Sequence, residues 1–511
     1  MPNIPDIASE ANLRYRWIIA ASLLLSIWLI WLDPLINRDA IIYLRAAEAY
    51  LRDGVAASQQ IFGRPLLPIC IAMLHQATGI PLLYSGLLIT TAFYVLLCVA
   101  FVDTVRVLGG KRSVQIFAAI IILSHPWINH TRASIMRDPI YLAFVVLSLR
   151  EMLLFIQAPS VPRQLRWVMY IVLATLFRFE GAFLATLAPL AILCTRNVLD
   201  RGKRCLQLLI PPLLLLLAGA AALLGYQSLN PGTAVVFPGI GLYLERLLEF
   251  PHQFAELARD SAEPMLAFTA TDDAPVAAVA ALAAILLLNL CRAVTWPWVA
   301  VLLWGARAGI GHRFRRDDLV LVYAYLAITL IYLSAFVAIN RFMLERYASQ
   351  AAILLLLFLP FFLSSLWHRG GWQKYLALAL LIGTCADALH SNTRDKIFIV
   401  QATQWVTENT PADASLVTNE KYIAHFSRRD VAWEALQRRR FKLETILDTP
   451  ALWQESDYMV MYLRKSQEPR WQQFIEDTGF QELRSFAGKR KGRAVVLATG
   501  AAGLPLPPNV N

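Results

Sequence analysis

Charge is scarce in this chain. Asp, Glu, Lys and Arg make up 16% of its 511 residues and hydrophobic residues 57%, where soluble domains carry roughly 25% and 45–50%. So few charges exclude one large soluble globule. Cysteine is scarce too: Cys70, Cys98, Cys194, Cys205, Cys291 and Cys385 all lie in or beside apolar segments, without C-x-x-C spacing. That excludes a disulfide framework and a thiolate metal site. No A-x-A cleavage site follows the first apolar run, Trp17 to Trp31, although Arg14 and Arg16 precede it. It reads as an uncleaved first span. Acids are the rarer sign, 36 against 47 Lys and Arg, for a formal charge of +11. Membrane proteins gather such an excess in cytoplasmic loops, so it does not call for nucleic acid.

Long apolar runs are what the chain has in abundance. Runs of roughly 18–22 residues, each able to cross a core of about 30 Å, recur from Trp17 to about Leu389, and mean hydropathy is +0.51. The expected fold is a mainly α polytopic membrane protein with about eleven spans, at 17–32, 81–102, 114–128, 139–157, 167–177, 181–195, 206–226, 293–310, 318–338, 347–367 and 373–389. Basic clusters fall at alternate ends of these spans and are all cytoplasmic if the N-terminus is inside. Residues 275–292 are apolar enough for a further crossing, but that would invert the later clusters, so they are expected to be an outer-leaflet or kinked element. Residues 69–78 are too short to span and suit an interfacial helix.

This divides the chain into a membrane domain, 1–390, a small α/β domain, 391–500, and a Pro/Gly-rich disordered tail, 501–511. Outer loops are expected at 33–80, with interfacial helices, and at 227–275. In the soluble part, helix-like stretches (395–408, 469–478) alternate with β-rich runs (415–417, 458–462, 495–498).

Ionisable residues at the outer ends of the spans are the informative feature. Charge beside hydrocarbon is costly, so it is paired, directed into water or functional. Asp39 and Tyr43 follow the first span at the start of an amphipathic stretch, where Asp39 could equally favour the helix N-terminus. Arg64, between Gly63 and Pro65, could take a phosphate with its planar fork or snorkel to lipid headgroups. Arg132, Arg137 and Asp138 close the second outer bend, and Asp138 before Pro139 is also a helix-start signal. Arg178 and Glu180 occupy an Arg-Phe-Glu-Gly turn that could hold a structural ion pair. Arg341, Glu345, Arg346 and Tyr347 precede a late span, where cations on the outer side suit an anionic lipid phosphate. Shared sidedness, not any single motif, carries the inference.

In order and architecture these elements resemble the GT-C superfamily of polytopic glycosyltransferases. The similar branch is the bacterial one of lipid A aminoarabinose transferases and protein O-mannosyltransferase relatives. The resemblance rests on Asp39 with Tyr43, Phe62 to Leu66, Asp138, Arg178 to Gly181, and Arg346 with Tyr347, and covers nearly the whole chain. It implies an inverting glycosyltransferase of the bacterial inner membrane, with active site and C-terminal domain facing the periplasm. Its donor would be a polyprenyl-phosphate-linked sugar, and its acceptor a lipid, glycan or protein. Asp39 would be the base that deprotonates the acceptor, and Asp138 would support the acceptor site or a metal. Arg64, Arg346 and Arg178 would hold the donor phosphate, with Tyr43, Glu180, Tyr347 and Arg137 contacting substrate. No acid lies two residues from Asp39, unlike paired-acid versions of the motif, so a divalent metal stays open. The competing reading is a transporter or lipid flippase, which would place charges at the bilayer midplane and often shows a repeat.

Overall fold

The structure is a computed structural model that describes residues 13–229, 273–309, 314–390, 393–488 and 491–499, with 249, 254, 256 and 258. Most of the expected 227–275 loop and the 501–511 tail lie outside the described residues. Among the described residues six helices are long and apolar enough to cross a membrane: α1 (Tyr15–Leu32), α4 (Leu82–Val107), α7 (Asp138–Gln157), Arg201–Ala222 within α10 (Arg201–Leu229), α11 (Ala274–Val294) and α13 (Arg316–Asn340). A seventh arises if α14 (Glu345–Leu356) and α15 (Leu359–Arg369), bent by 48°, count as one span.

Several expected spans are broken. The run 114–128 divides at His125 into α5 (Arg112–Ser124) and α6 (Pro126–His130), because Pro126 cannot continue the ladder. The run 181–195 is a short α9 (Glu180–Leu187) followed by a 3-10 turn (Ala188–Cys194) holding Pro189. Near 275–310 the helix of spanning length is not the expected 293–310 but Ala274–Val294. Thr295, at φ +74°, ends it, and α12 (Trp296–Arg307) has only 12 residues. At 1.5 Å per residue α12 reaches about 18 Å, well short of the hydrocarbon core. α3 (Leu66–Thr78) is short as expected, and α8 (Val161–Phe177) and α16 (Gly371–Ala388) complete the helical part.

Charge also gathers where the sequence reading did not look. Asp103 near the end of α4 accepts from Tyr15, Arg106 (2.7 Å) and Arg150, while fully buried Glu151 accepts from Arg150 and Arg166 (3.0 Å). Glu151 is thirteen positions after Asp138 on the same helix, roughly 20 Å along its axis. This network staples α1, α4, α7 and α8 at the end remote from Asp138. Arg132 is fully buried too, donating to Ser22 Oγ (2.9 Å), Ser26 Oγ (3.0 Å) and Asn129 Oδ1 (2.8 Å). These bonds tie the bend after α6 to α1.

The C-terminal part forms one sheet in the order β1-β2-β4-β3, with β1 (Leu416–Thr418) parallel to β2 (Tyr458–Leu463). β4 (Arg493–Ala498) is antiparallel to both β2 and β3 (Glu482–Ala487). β2 is buried on both faces: Met459, Met461 and Leu463 enter one apolar core, and Tyr458, Val460 and Tyr462 the other. The three β-rich runs in the sequence become β1, β2 and β4. β3 escaped notice because it is an edge strand of half-exposed and polar residues.

α2 (Arg38–Ile61), interrupted at Gly54 (φ +81°), connects the two parts. Its Ala40, Ile41, Tyr43, Leu44 and Ala47 are buried, while Arg38, Arg45 and Glu48 recur at helical spacing on another face. Arg38 forks onto Glu420 (2.6 and 3.3 Å), Arg45 lies over the Trp433 ring (3.8 Å), and Glu48 faces His425 (3.9 Å). Burial pushes the His425 imidazole down to about 4, and repulsion from Arg45 and Arg428 adds to it. Its folded value is depressed below about 6.5, so the unfolded chain binds the proton first. The contribution of neutral His425 to stability is complete above pH 6.5 and is expected to be lost as pH drops towards 4, on the order of 2–3 kcal/mol. Thermal midpoints across that window should fall less in His425→Gln than in the parent chain; parallel curves would remove this assignment.

Candidate active site

Five segments far apart in sequence meet around one chain of charges and rings. Asp39 is in the first turn of α2, but no side-chain cap is formed there. Its Oδ2 instead accepts from Arg346 Nη1 at 2.6 Å. The Arg346 guanidinium lies 5.2 Å from the Tyr347 ring centre, and Nη2 approaches the Tyr347 hydroxyl at 3.4 Å. The same ring has a second cation near it, Arg178, at 5.8 Å. Arg178 divides its fork between Asp138 Oδ1 and Glu180 Oε1, the latter at 2.7 Å. Thus Tyr347 joins the Asp39–Arg346 pair to the Asp138–Arg178–Glu180 triad, with a cation–π contact to each arginine.

Arg137 and Tyr43 lie on the flank of this chain. Arg137, immediately before α7, donates to the Phe177 carbonyl (3.3 Å) and lies 4.9 Å from the Phe62 ring centre. Phe62 meets Tyr43 edge-to-face at 5.0 Å. Burial raises the Tyr43 phenol above its usual range; the Arg137 cation opposes this, and the carboxylates of Asp39 and Asp138 add to it. Both acids therefore act on one phenol. Arg64, two residues past Phe62, is half-buried and makes no hydrogen bond or ion pair among the described residues.

Local structure explains why these residues meet. Asn37 pairs with the Ile135 backbone in both directions (3.1 and 3.3 Å), fixing the start of α2 against the bend that presents Asp138. Asn419 does the same to Tyr462 (2.8 Å twice), placing Glu420 at the end of β1 for Arg38. At Gly181 a Cβ would meet the Thr175 backbone nitrogen at 2.6 Å, so the Arg-Phe-Glu-Gly turn needs glycine to close on α8. The sequence reading did not pick out Asn37 as a positioning residue, nor Glu420. It also missed Tyr332 and Gln350, which share a 3.0 Å hydrogen bond behind Glu180 and extend the polar lining.

The two arginine forks differ in availability. Arg178 is 14% exposed and holds two carboxylates, whereas Arg346 (33%) and Asp39 (40%) are partly open. The Arg178 fork is committed to two acids, whereas the Arg346 fork holds one. The residues do not assemble a metal site: Asp39 and Asp138 each hold a guanidinium, and among the described residues no three His, Cys, Asp or Glu side chains converge. A separate cavity of about 600 Å³, lined by residues such as Leu290, Phe314, Phe358 and Phe362, has no charged side chain among the described residues.

No family model and no curated protein sequence matches the chain. Solved structures do. ArnT from Cupriavidus metallidurans is similar both bound to undecaprenyl phosphate (TM-score 0.51) and in the apo state (0.52), each at 14% identity over 96% of this chain and 99% of that one. The chain has the GT-C fold. An oligosaccharyltransferase from Archaeoglobus fulgidus also overlaps, at 12% identity over 90% of this chain and 71% of its own, with a TM-score of 0.49. At such identities the likeness concerns architecture.

Proposed function

We propose that the chain is an inverting glycosyltransferase that moves a sugar from a polyprenyl-phosphate donor to a lipid, glycan or protein acceptor. The observation that carries this reading is the chain from Asp39 through Arg346, Tyr347 and Arg178 to Asp138 and Glu180, assembled from distant segments on a GT-C fold. It supplies a carboxylate beside a partly exposed guanidinium, the pairing such a displacement requires.

In this reading the acceptor oxygen attacks the anomeric carbon, and its proton passes to the Asp39 carboxylate. The bond from that carbon to the phosphate oxygen breaks, and its electron pair stays on the departing polyprenyl phosphate. Arg346 and Arg64, which has no partner among the described residues, receive the charge that builds there. Arg178 is reassigned to fixing Asp138 and Glu180, which with Tyr43, Arg137 and Tyr347 line the acceptor side. The reading keeps the site, the C-terminal domain and the 33–80 segment on the periplasmic side of an inner membrane. With Ala274–Val294 as the crossing and Trp296–Arg307 interfacial, the basic clusters remain cytoplasmic.

Mass analysis of envelope lipids, glycans and proteins, with and without the gene, tests this reading. Deletion should remove one sugar modification and let a polyprenyl-phosphate sugar accumulate. An unchanged profile with no accumulated donor would sink it.

A further inference from the structure

We propose that Arg346 is shared between Asp39 and the donor phosphate, so that donor binding withdraws it from Asp39 and frees the carboxylate for the acceptor. The inference rests on the functional reading above and adds an order to it: donor first, acceptor second.

Three observations lead there. Arg346 has one carboxylate partner, Asp39 Oδ2 at 2.6 Å, and both side chains are partly exposed, at 33% and 40%. An ion pair so exposed contributes little and breaks easily. Its second nitrogen makes only a long 3.4 Å contact with Tyr347, so the fork is not saturated. A phosphate offers that fork two parallel charge-assisted bonds, a stronger match than one carboxylate oxygen.

Arg178 provides the internal contrast. It is 14% exposed, carries two carboxylates and shares the Tyr347 ring with Arg346. Arg178 therefore holds its end of the site while Arg346 changes partner at the other. Arg64, without a partner among the described residues, stands two positions from Phe62, whose ring packs on Tyr43 of α2.

There is a chemical consequence. Until donor arrives, Asp39 Oδ2 is occupied and the carboxylate faces a cation instead of an acceptor hydroxyl. Once the phosphate takes Arg346, both oxygens are available on the nucleophile's side. The arrangement keeps the base occupied in the absence of an activated sugar.

Binding of undecaprenyl phosphate alone tests this, because it is the leaving group of the proposed reaction and needs no knowledge of sugar or acceptor. Full-length protein in lipid nanodiscs would be titrated at neutral pH as the parent chain, Asp39→Asn, Arg346→Ala and the double variant, with thermal midpoints recorded alongside. Removing Asp39's charge should tighten binding by about tenfold, since a competing anion is gone. Arg346→Ala should weaken it by at least about tenfold, and Asp39→Asn should bring no gain in that background. Asp39→Ala provides a second test of the same gain, with the side chain shortened. If both Asp39 variants bind no tighter while Arg346→Ala still weakens binding, the exchange is wrong and the donor-site reading survives. Absence of binding by the parent chain, or an Arg346→Ala chain that binds normally, would overturn both.

Discussion

An Asp39→Asn chain is expected to lose sugar transfer by about 10²–10⁴-fold, the usual contribution of a positioned general base, with little change in folding. The loss follows from chemistry. Asparagine keeps the size of the side chain but cannot accept the acceptor's proton. The stability expectation follows from geometry: Asp39 is partly exposed, makes no helix cap and has one exposed ionic partner. Such a pair contributes about 0–1 kcal/mol. The measurement is incorporation of sugar into envelope material by membranes bearing the variant at matched expression. Full transfer by that variant would remove Asp39 as the base, whatever the fold. Asp39→Glu should recover only part of the activity, because one added methylene displaces the carboxylate by more than the alignment allows.

The second large effect is on stability. Arg178→Ala leaves Asp138 and Glu180 facing each other without their shared cation, with side-chain exposures of 10% and 24%. Removing one partner of a buried ionic group costs about 3–5 kcal/mol, because the remaining charges stay desolvated. Arg178→Lys should rescue little, since a point charge cannot serve two carboxylates with a planar fork. Thermal unfolding of detergent-solubilised protein reads this directly. Arg346→Ala provides the contrast, with expected stability close to the parent chain. If the Arg178 and Arg346 variants unfold alike, the division between a fixed and an exchangeable arginine is wrong.

The sequence made much of the membrane part legible because hydropathy and length are local properties. The runs at 17–32, 81–102, 139–157, 206–226 and 318–338 became long helices, each within a few residues of its expected position. Breaks were harder to see. At His125–Pro126 and at Thr295 the apolar composition continues while the backbone turns, so hydropathy could not divide 114–128 or choose between 275–292 and 293–310. In the soluble part the buried strands stood out and the polar edge strand Glu482–Ala487 did not, because only burial imposes a hydrophobic pattern.

The sequence by itself determined which residue types stand at which span ends. Asp39, Arg64, Asp138, Arg178 and Arg346 are conspicuous because charge beside apolar runs is expensive. The tertiary structure alone decided their partners. Asp39 and Arg346 are 307 positions apart and Arg178 and Asp138 are 40 apart; no local pattern encodes which guanidinium meets which carboxylate. That choice depends on how helices pack, and on contacts such as Asn37 with Ile135 that set one segment against another. It separates an arginine held between two acids from a partly exposed one with a single carboxylate partner among the described residues, because desolvation and fork occupancy are properties of the assembled site.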